Sequence, residues 1–284
     1  MRLRRDSHCG SANVLGIRSV VPLDRAYHAP VRRIVLALLL LALVPAAAQA
    51  ESACWKSRVA KADRVARSRA GDVTFAVIDN AGHIHGKRYT RPVRGVSTIK
   101  SLLLLTYLRE PSVRRRSLTG GEKGLLTRMI TVSDNGAAST MIGRLGRAKI
   151  EREARRIGMR SFHLVSGFWG LSPTTARDQA VLFRRLDANL PRRHRTFARR
   201  LFRSIVSYQR WGVPRGAPRG WHVFFKGGWG YGTGKAVHQG ARLEHGGTVL
   251  GLGVTTFGNS GTSYGATTIE RVTKALLRPR PCAS

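Results

Sequence analysis

At 284 residues with 42% hydrophobic content, the chain has ample core for one large domain and falls among globular proteins. Its formal charge of +35 points first to nucleic acid or an anionic surface. Arginine carries most of that charge and is spread along the whole chain, with no zinc-finger spacing and no RNA-binding aromatic signature, so a generally basic surface is expected and no nucleic-acid partner.

In chain order, Arg32 and Arg33 are followed by an apolar run from Ile34 to Val44 and then by "PAAAQA". This reads as a signal peptide cleaved near Ala50, too short in its apolar part to leave a transmembrane anchor. Residues 1–50 are therefore expected to be a removed leader, and 51–284 a secreted or cell-envelope domain. Export makes Cys54 and Cys282 informative. One near each end of the mature chain, in an oxidising compartment, they read most simply as a disulfide, with two free thiols as the alternative. Neither has a Cys or His neighbourhood suited to a metal, so no metal or other cofactor is expected.

Residues 51–69 space Trp55, Val59, Ala62, Val65 and Ala66 as an amphipathic helix. "DVTFAVID", "NAG" and "HIHGKRYT" predict a hairpin over 72–90, with His83 and His85 on one face as surface histidines. Val96 to about Glu110 is apolar on almost every side, which predicts a buried helix. Further helical segments run to "EREARRIGM", and "TTARDQAVLFRRL" begins another, capped by Thr174 or Thr175. "WHVFFKGG", "KAVHQGARLEH" and "GTVLGLGVTTFG" read as three strands, and "YGATTIERVTKALL" as a last helix. The order predicts an α+β fold: a five-stranded antiparallel sheet flanked by helices, with an inserted all-helical subdomain at about 101–205.

Three short motifs carry chemistry. In "VSTIK", Ser97 and Lys100 are three apart, so a helix places the amine beside the hydroxyl. A serine needs a base to become a nucleophile, and a lysine desolvated among leucines can have its pKa lowered enough to serve. No other serine here has a lysine three residues on. In "SDN", Ser133 can relay a proton to a leaving amine, and Asn135 can hold Lys100 and a substrate amide. In "FFKGGW", Lys226 can attract a carboxylate, while Gly227 and Gly228 let a substrate lie against the strand. The Trp229 N–H could join that of Ser97 in an oxyanion hole.

In this order the motifs resemble those of the class A β-lactamase and penicillin-binding serine hydrolases, over nearly all of residues 51–284. The resemblance implies that Ser97 is the acylated nucleophile, Lys100 its base and Ser133 a proton shuttle. Asn135, Lys226, Gly228 and Trp229 would hold the substrate, a β-lactam or a D-alanyl-D-alanine-type peptidoglycan stem peptide. Two departures stand out. Gly227 occupies the place of the usual carboxylate-binding hydroxyl residue, with Lys235 or Arg242 as candidate stand-ins. The loop "SFHLVSGFWGLSPTT" contains no carboxylate, although true class A enzymes place there the glutamate that deacylates them. Acylation without efficient turnover is therefore expected. A catalytically inactive peptidoglycan- or ligand-binding module on the same fold is the alternative, and an anionic cell-wall polymer is a further candidate partner for the basic surface.

Overall fold

Asp72–Ile78 (β1) is buried along all but its first residue, because it pairs on both sides, with Ile84–Lys87 (β2) and with Thr248–Phe257 (β7). Beyond β7 lie Ala236–His245 (β6) and His222–Gly230 (β5), giving the antiparallel order β2-β1-β7-β6-β5. This is a computed structural model that describes residues 46–230, 235–279 and 282. The expected leader falls almost wholly outside the described residues, as do residues 231–234. Residues 46–284 group as one unit.

Side-chain alternation along β6 sorts the helices onto the two faces of the sheet. Val237 faces Thr262–Leu277 (α10), where a Cβ on Gly265 would lie 2.6 Å from its side chain. Gly240 faces the opposite way, toward Gln179 and Phe183 of Ala176–Arg184 (α6). α6 lies almost on the strands: a Cβ at Gly253 would come within 2.0 Å of the Ala176 carbonyl oxygen, so only glycine permits the approach. Thr175 caps α6, accepting from the Asp178 N–H at 2.9 Å.

Ala46–Arg67 (α1) packs against α10 and against β1 and β2. Cys54 and Cys282 form a disulfide, Cα–Cα 5.8 Å, that ties α1 to the segment following α10. Between β2 and α6 the chain forms a short strand Val93–Arg94 (β3), a 3₁₀ turn Val96–Ile99, and helices Lys100–Arg109 (α2), Gly120–Thr131 (α3), Asn135–Leu145 (α4) and Arg147–Ile157 (α5). β3 pairs with Pro173–Thr174 (β4), a ladder too short for its sequence to announce. After α6 come Leu186–Asn189 (α7), Arg192–Arg203 (α8) and Val213–Gly216 (α9).

Two local expectations need correction. The hairpin strand is shorter than predicted, ending at Lys87. His83 is exposed, whereas the His85 side chain is only 19% exposed. Its ring stacks on the buried Trp55 at 4.8 Å, and its Nε2 lies 2.7 Å from the buried Asp79 carboxylate. Contact with α1, distant in sequence, leaves one histidine of the pair half-buried.

Candidate active site

The site forms where the 3₁₀ turn Val96–Ile99 meets β5, the edge strand of the sheet. Ser97 sits in that turn and Lys100 opens α2, whose Leu102, Leu103, Leu104, Leu105 and Leu108 are fully buried. Burying five leucines contributes roughly 7–15 kcal/mol. That is enough to carry a lysine with 0% exposure into the interior with them.

Lys100 Nζ lies 3.0 Å from Ser97 Oγ, 2.7 Å from Asn135 Oδ1, 3.1 Å from Ser133 Oγ and 2.5 Å from the Ser133 carbonyl oxygen. Lys226 Nζ donates to Ser133 Oγ at 3.0 Å and to the Gly227 carbonyl at 2.7 Å. The Ser133 hydroxyl thus stands between two buried amines. Burial lowers the Lys100 pKa to about 7, partly opposed by the nearby Asp134 carboxylate. Lys226, also fully buried, is pushed well below its ordinary value by burial and then by Lys100. A neutral amine 3.0 Å from a serine hydroxyl can take its proton, and a hydroxyl shared by two amines can pass one onward.

The backbone around these groups is constrained. Val96, a β-branched residue, has φ 43°, and Ser133 has φ 64°, both in the left-handed region. Such conformations cost about 1–3 kcal/mol each and persist only where the surroundings impose them. Asp134 caps α4, accepting from the Ala137 N–H at 2.8 Å, which fixes the turn carrying Ser133 and Asn135. Ahead of the Ser97 turn, His238 of β6 holds β3. It accepts from the Thr256 N–H through Nδ1, so its Nε2–H donates to the Arg94 carbonyl at 3.0 Å. Burial lowers the His238 pKa to about 4, keeping the ring neutral.

Gly228 allows β5 to touch the Ser97 turn, since a Cβ there would lie 2.7 Å from Ser97 N and 2.8 Å from Thr98 N. Backbone cannot yield as a side-chain tip can. Gly228→Ala should therefore displace Ser97 from β5 and, if Ser97 acts as the resemblance implies, cut its acylation about 10²-fold. Stopped-flow labelling with a fluorescent penicillin, alongside a thermal melt to confirm folding, measures this.

The carboxylates on either side of the loop after α5 are all engaged by other groups. Glu151 Oε1 accepts from the Leu164 N–H at 2.9 Å, and Asp178 accepts from the Arg160 N–H at 2.9 Å. Glu153 pairs with Arg156 at 2.5 Å and with Arg109 at 3.2 Å. At the Lys100 amine, this loop contributes Trp169, whose ring centroid is 5.1 Å from Nζ and whose indole N–H donates to Ser139 Oγ at 3.1 Å. The sequence reading missed Trp169. The pair Phe168–Trp169 in a carboxylate-free loop was the available signal.

Arg242 is not the stand-in for a hydroxyl at position 227. It opposes Phe224 in the β5–β6 register, and its guanidinium is engaged by Glu244, Asp187 and the Arg184 carbonyl. Lys235 is exposed at the start of β6, beyond the end of β5. The residue that lies against Gly227 is Trp211, 3.1 Å from where a Cβ would be. Among the described residues, no group of three or more His, Cys, Asp or Glu could hold a metal ion.

A family model described as "Beta-lactamase enzyme family" matches residues 122–278, more than half of the chain. The chain belongs to the β-lactamase enzyme family. The matched stretch contains Ser133, Asn135 and Lys226, while Ser97 and Lys100 lie upstream of it. Among solved structures, a β-lactamase from Desulfarculus baarsii is 22% identical, with a TM-score of 0.64, covering 78% of this chain and 96% of that one. A β-lactamase from Sphaerobacter thermophilus is 19% identical, with a TM-score of 0.66 and coverages of 78% and 95%. PBP-A is 18% identical, with a TM-score of 0.65 and coverages of 78% and 94%, and a variant of it is described as an acyl-enzyme complex with penicillin G. At these identities the likeness shows the class A β-lactamase fold. No curated protein matches the chain. This family of β-lactamase-like serine hydrolases thus accounts for the five-stranded antiparallel sheet and its flanking helices.

Proposed function

We propose that this family member is an exported serine hydrolase that forms an acyl-enzyme on Ser97 with β-lactams or D-alanyl-D-alanine-type amides, and releases it slowly. The carrying observation is the Lys100 amine, with its pKa near 7, lying 3.0 Å from the Ser97 hydroxyl. In this reading Lys100 takes the Ser97 proton as Oγ attacks the carbonyl carbon. Ser133, poised between Lys100 and Lys226, returns a proton to the departing amine, and Asn135 holds Lys100 and the substrate amide. The backbone N–H groups of Ser97 and Trp229 receive the developing oxyanion. The mature domain begins after cleavage near Ala50 and spans 51–284, with its helical part at about 101–205. Its basic surface keeps it near anionic cell-wall polymer.

Slow release follows from the loop. Glu151, Glu153 and Asp178 are all engaged elsewhere, and an indole rather than a carboxylate faces Lys100. None of these three carboxylates is left free to activate a water toward the ester.

Intact-protein mass spectrometry after mixing with a fluorescent penicillin and with a cephalosporin tests this, with Ser97→Ala alongside. The expected result is an adduct that persists for many minutes and is absent from the variant. Rapid drug turnover would establish a β-lactamase with another deacylating group. No adduct with either drug would favour the inactive binding module, the reading to which Gly227 and the carboxylate-free loop also lend weight.

A further inference from the structure

We infer that a second pocket, on the other face of β5, binds a pyranose sugar ring carried by the substrate. Its place beside the nucleophile matters to catalysis only if the acyl-transfer reading holds, but binding itself does not require acylation.

The placement follows from strand alternation. Gly228 meets the Ser97 turn, so residues 227 and 229 face the other way, toward α9 and α10. There Trp229 packs edge to face with Trp211, ring centroids 5.9 Å apart at 75°, beside a cavity of about 350 Å³. That volume lies within the roughly 300–1,000 Å³ of small-ligand sites. Tyr208, 72% exposed, stands at its mouth. The facing wall is polar. Thr262, Ser263 and Thr267 come from the first turns of α10, Glu270 from the next, and Arg215 from α9.

Aromatic faces on one side and a mixed set of donors and acceptors on the other fit a pyranose, which has a C–H-lined face and a rim of hydroxyls. Thr267 already donates to the Ser263 carbonyl and Glu270 already accepts from Lys274, but a purely apolar ring would displace water from the rest of this polar wall without replacing its hydrogen bonds. A charged ligand of either sign would meet one like charge, since the wall carries both the Arg215 guanidinium and the Glu270 carboxylate, the latter paired with Lys274 at 2.5 Å. A neutral polyhydroxylated ring satisfies both walls.

The pocket also accounts for Gly227. A Cβ at that position would lie 3.1 Å and 3.2 Å from two carbons of the Trp211 indole, closer than side chains normally pack. Glycine lets the indole pack close against the strand. The position that could have carried a hydroxyl toward a substrate carboxylate instead supports an aromatic wall.

The test uses the full chain with Ser97→Ala, so that binding is read without chemistry, and N,N′,N″-triacetylchitotriose and cellotriose as probes. Saturable quenching of tryptophan fluorescence is expected with at least one sugar, together with saturation transfer to its ring protons. Tyr208→Ala, at an exposed position that the fold does not need, and Trp211→Ala should each weaken binding at least tenfold. Failure of both sugars to bind at millimolar concentration would overturn the inference, as would binding that both variants leave unchanged. Should Trp211→Ala unfold, Tyr208→Ala decides. A β-lactam adduct on the unsubstituted protein without sugar binding would sink this inference alone. Sugar binding without an adduct would retain it and sink the acyl-transfer reading.

Discussion

Replacing Lys100 with methionine should lower the acylation rate of Ser97 by about 10²–10⁴-fold, the usual worth of a positioned general base. The same lysine should set the pH profile. Only the neutral amine can accept the Ser97 proton, so acylation rises with pH through about 7 and levels off above it. Its effect on stability has the same sign. In the unfolded chain the amine titrates near 10.5, so between pH 7 and 10.5 the unfolded state holds a proton that the folded state does not. Stability should therefore rise with pH across that window. Below it the whole penalty of burying the ammonium is present, roughly 5 kcal/mol for a shift of this size. Part of the gain from Lys100→Met is offset by leaving the Asn135 and Ser133 oxygens short of a donor, about 1–3 kcal/mol. The difference between the two proteins should still shrink from pH 6.5 to pH 9.5. Urea midpoints at those pH values measure it, and a constant difference would mean that Lys100 keeps an ordinary pKa.

Removing the disulfide is expected to have the second large effect. Cys54 and Cys282 are separated by 228 residues, so the cross-link restricts almost the whole unfolded chain. Cys54→Ser with Cys282→Ser should cost roughly 3–5 kcal/mol. For a domain of this size that lowers the melting temperature by roughly 10 °C. The bridge ties α1 to the chain beyond α10, on the face of the sheet opposite α6, and touches none of Ser97, Lys100, Ser133 or Lys226. Acylation of the folded variant at 25 °C should match that of the parent. A comparable loss of labelling rate would show instead that the bridge shapes the site.

What could be read from the sequence was local. Ser97 and Lys100 are joined by helical spacing, and the leucines that bury them follow immediately in the chain. Thr175 announces its helix by cap chemistry, and the three strands of the second half announce themselves by composition and turns. The rest depends on which distant segments meet. Trp169 comes to Lys100 through the loop after α5, and Trp211 to Gly227 through the chain ahead of α9. No spacing rule links either pair. Arg242 failed as a carboxylate partner for the same reason. The β5–β6 register and Asp187, 55 residues away, place it in an ion-pair network that charge alone could not reveal. His85 was misread because Trp55, from the preceding helix, covers it.

The bridge has a topological consequence. With Cys54 and Cys282 joined, the chain between them is a covalent ring, and every group assigned to the site, from Ser97 to Trp229, lies on it. A protease that cuts once at an exposed turn, such as Gly246–Gly247 between β6 and β7, opens the ring without releasing a fragment. The nicked molecule keeps β7 and α10 covalently tied to the segment that carries both lysines and both serines, and separates into two chains only when it is cut and reduced together.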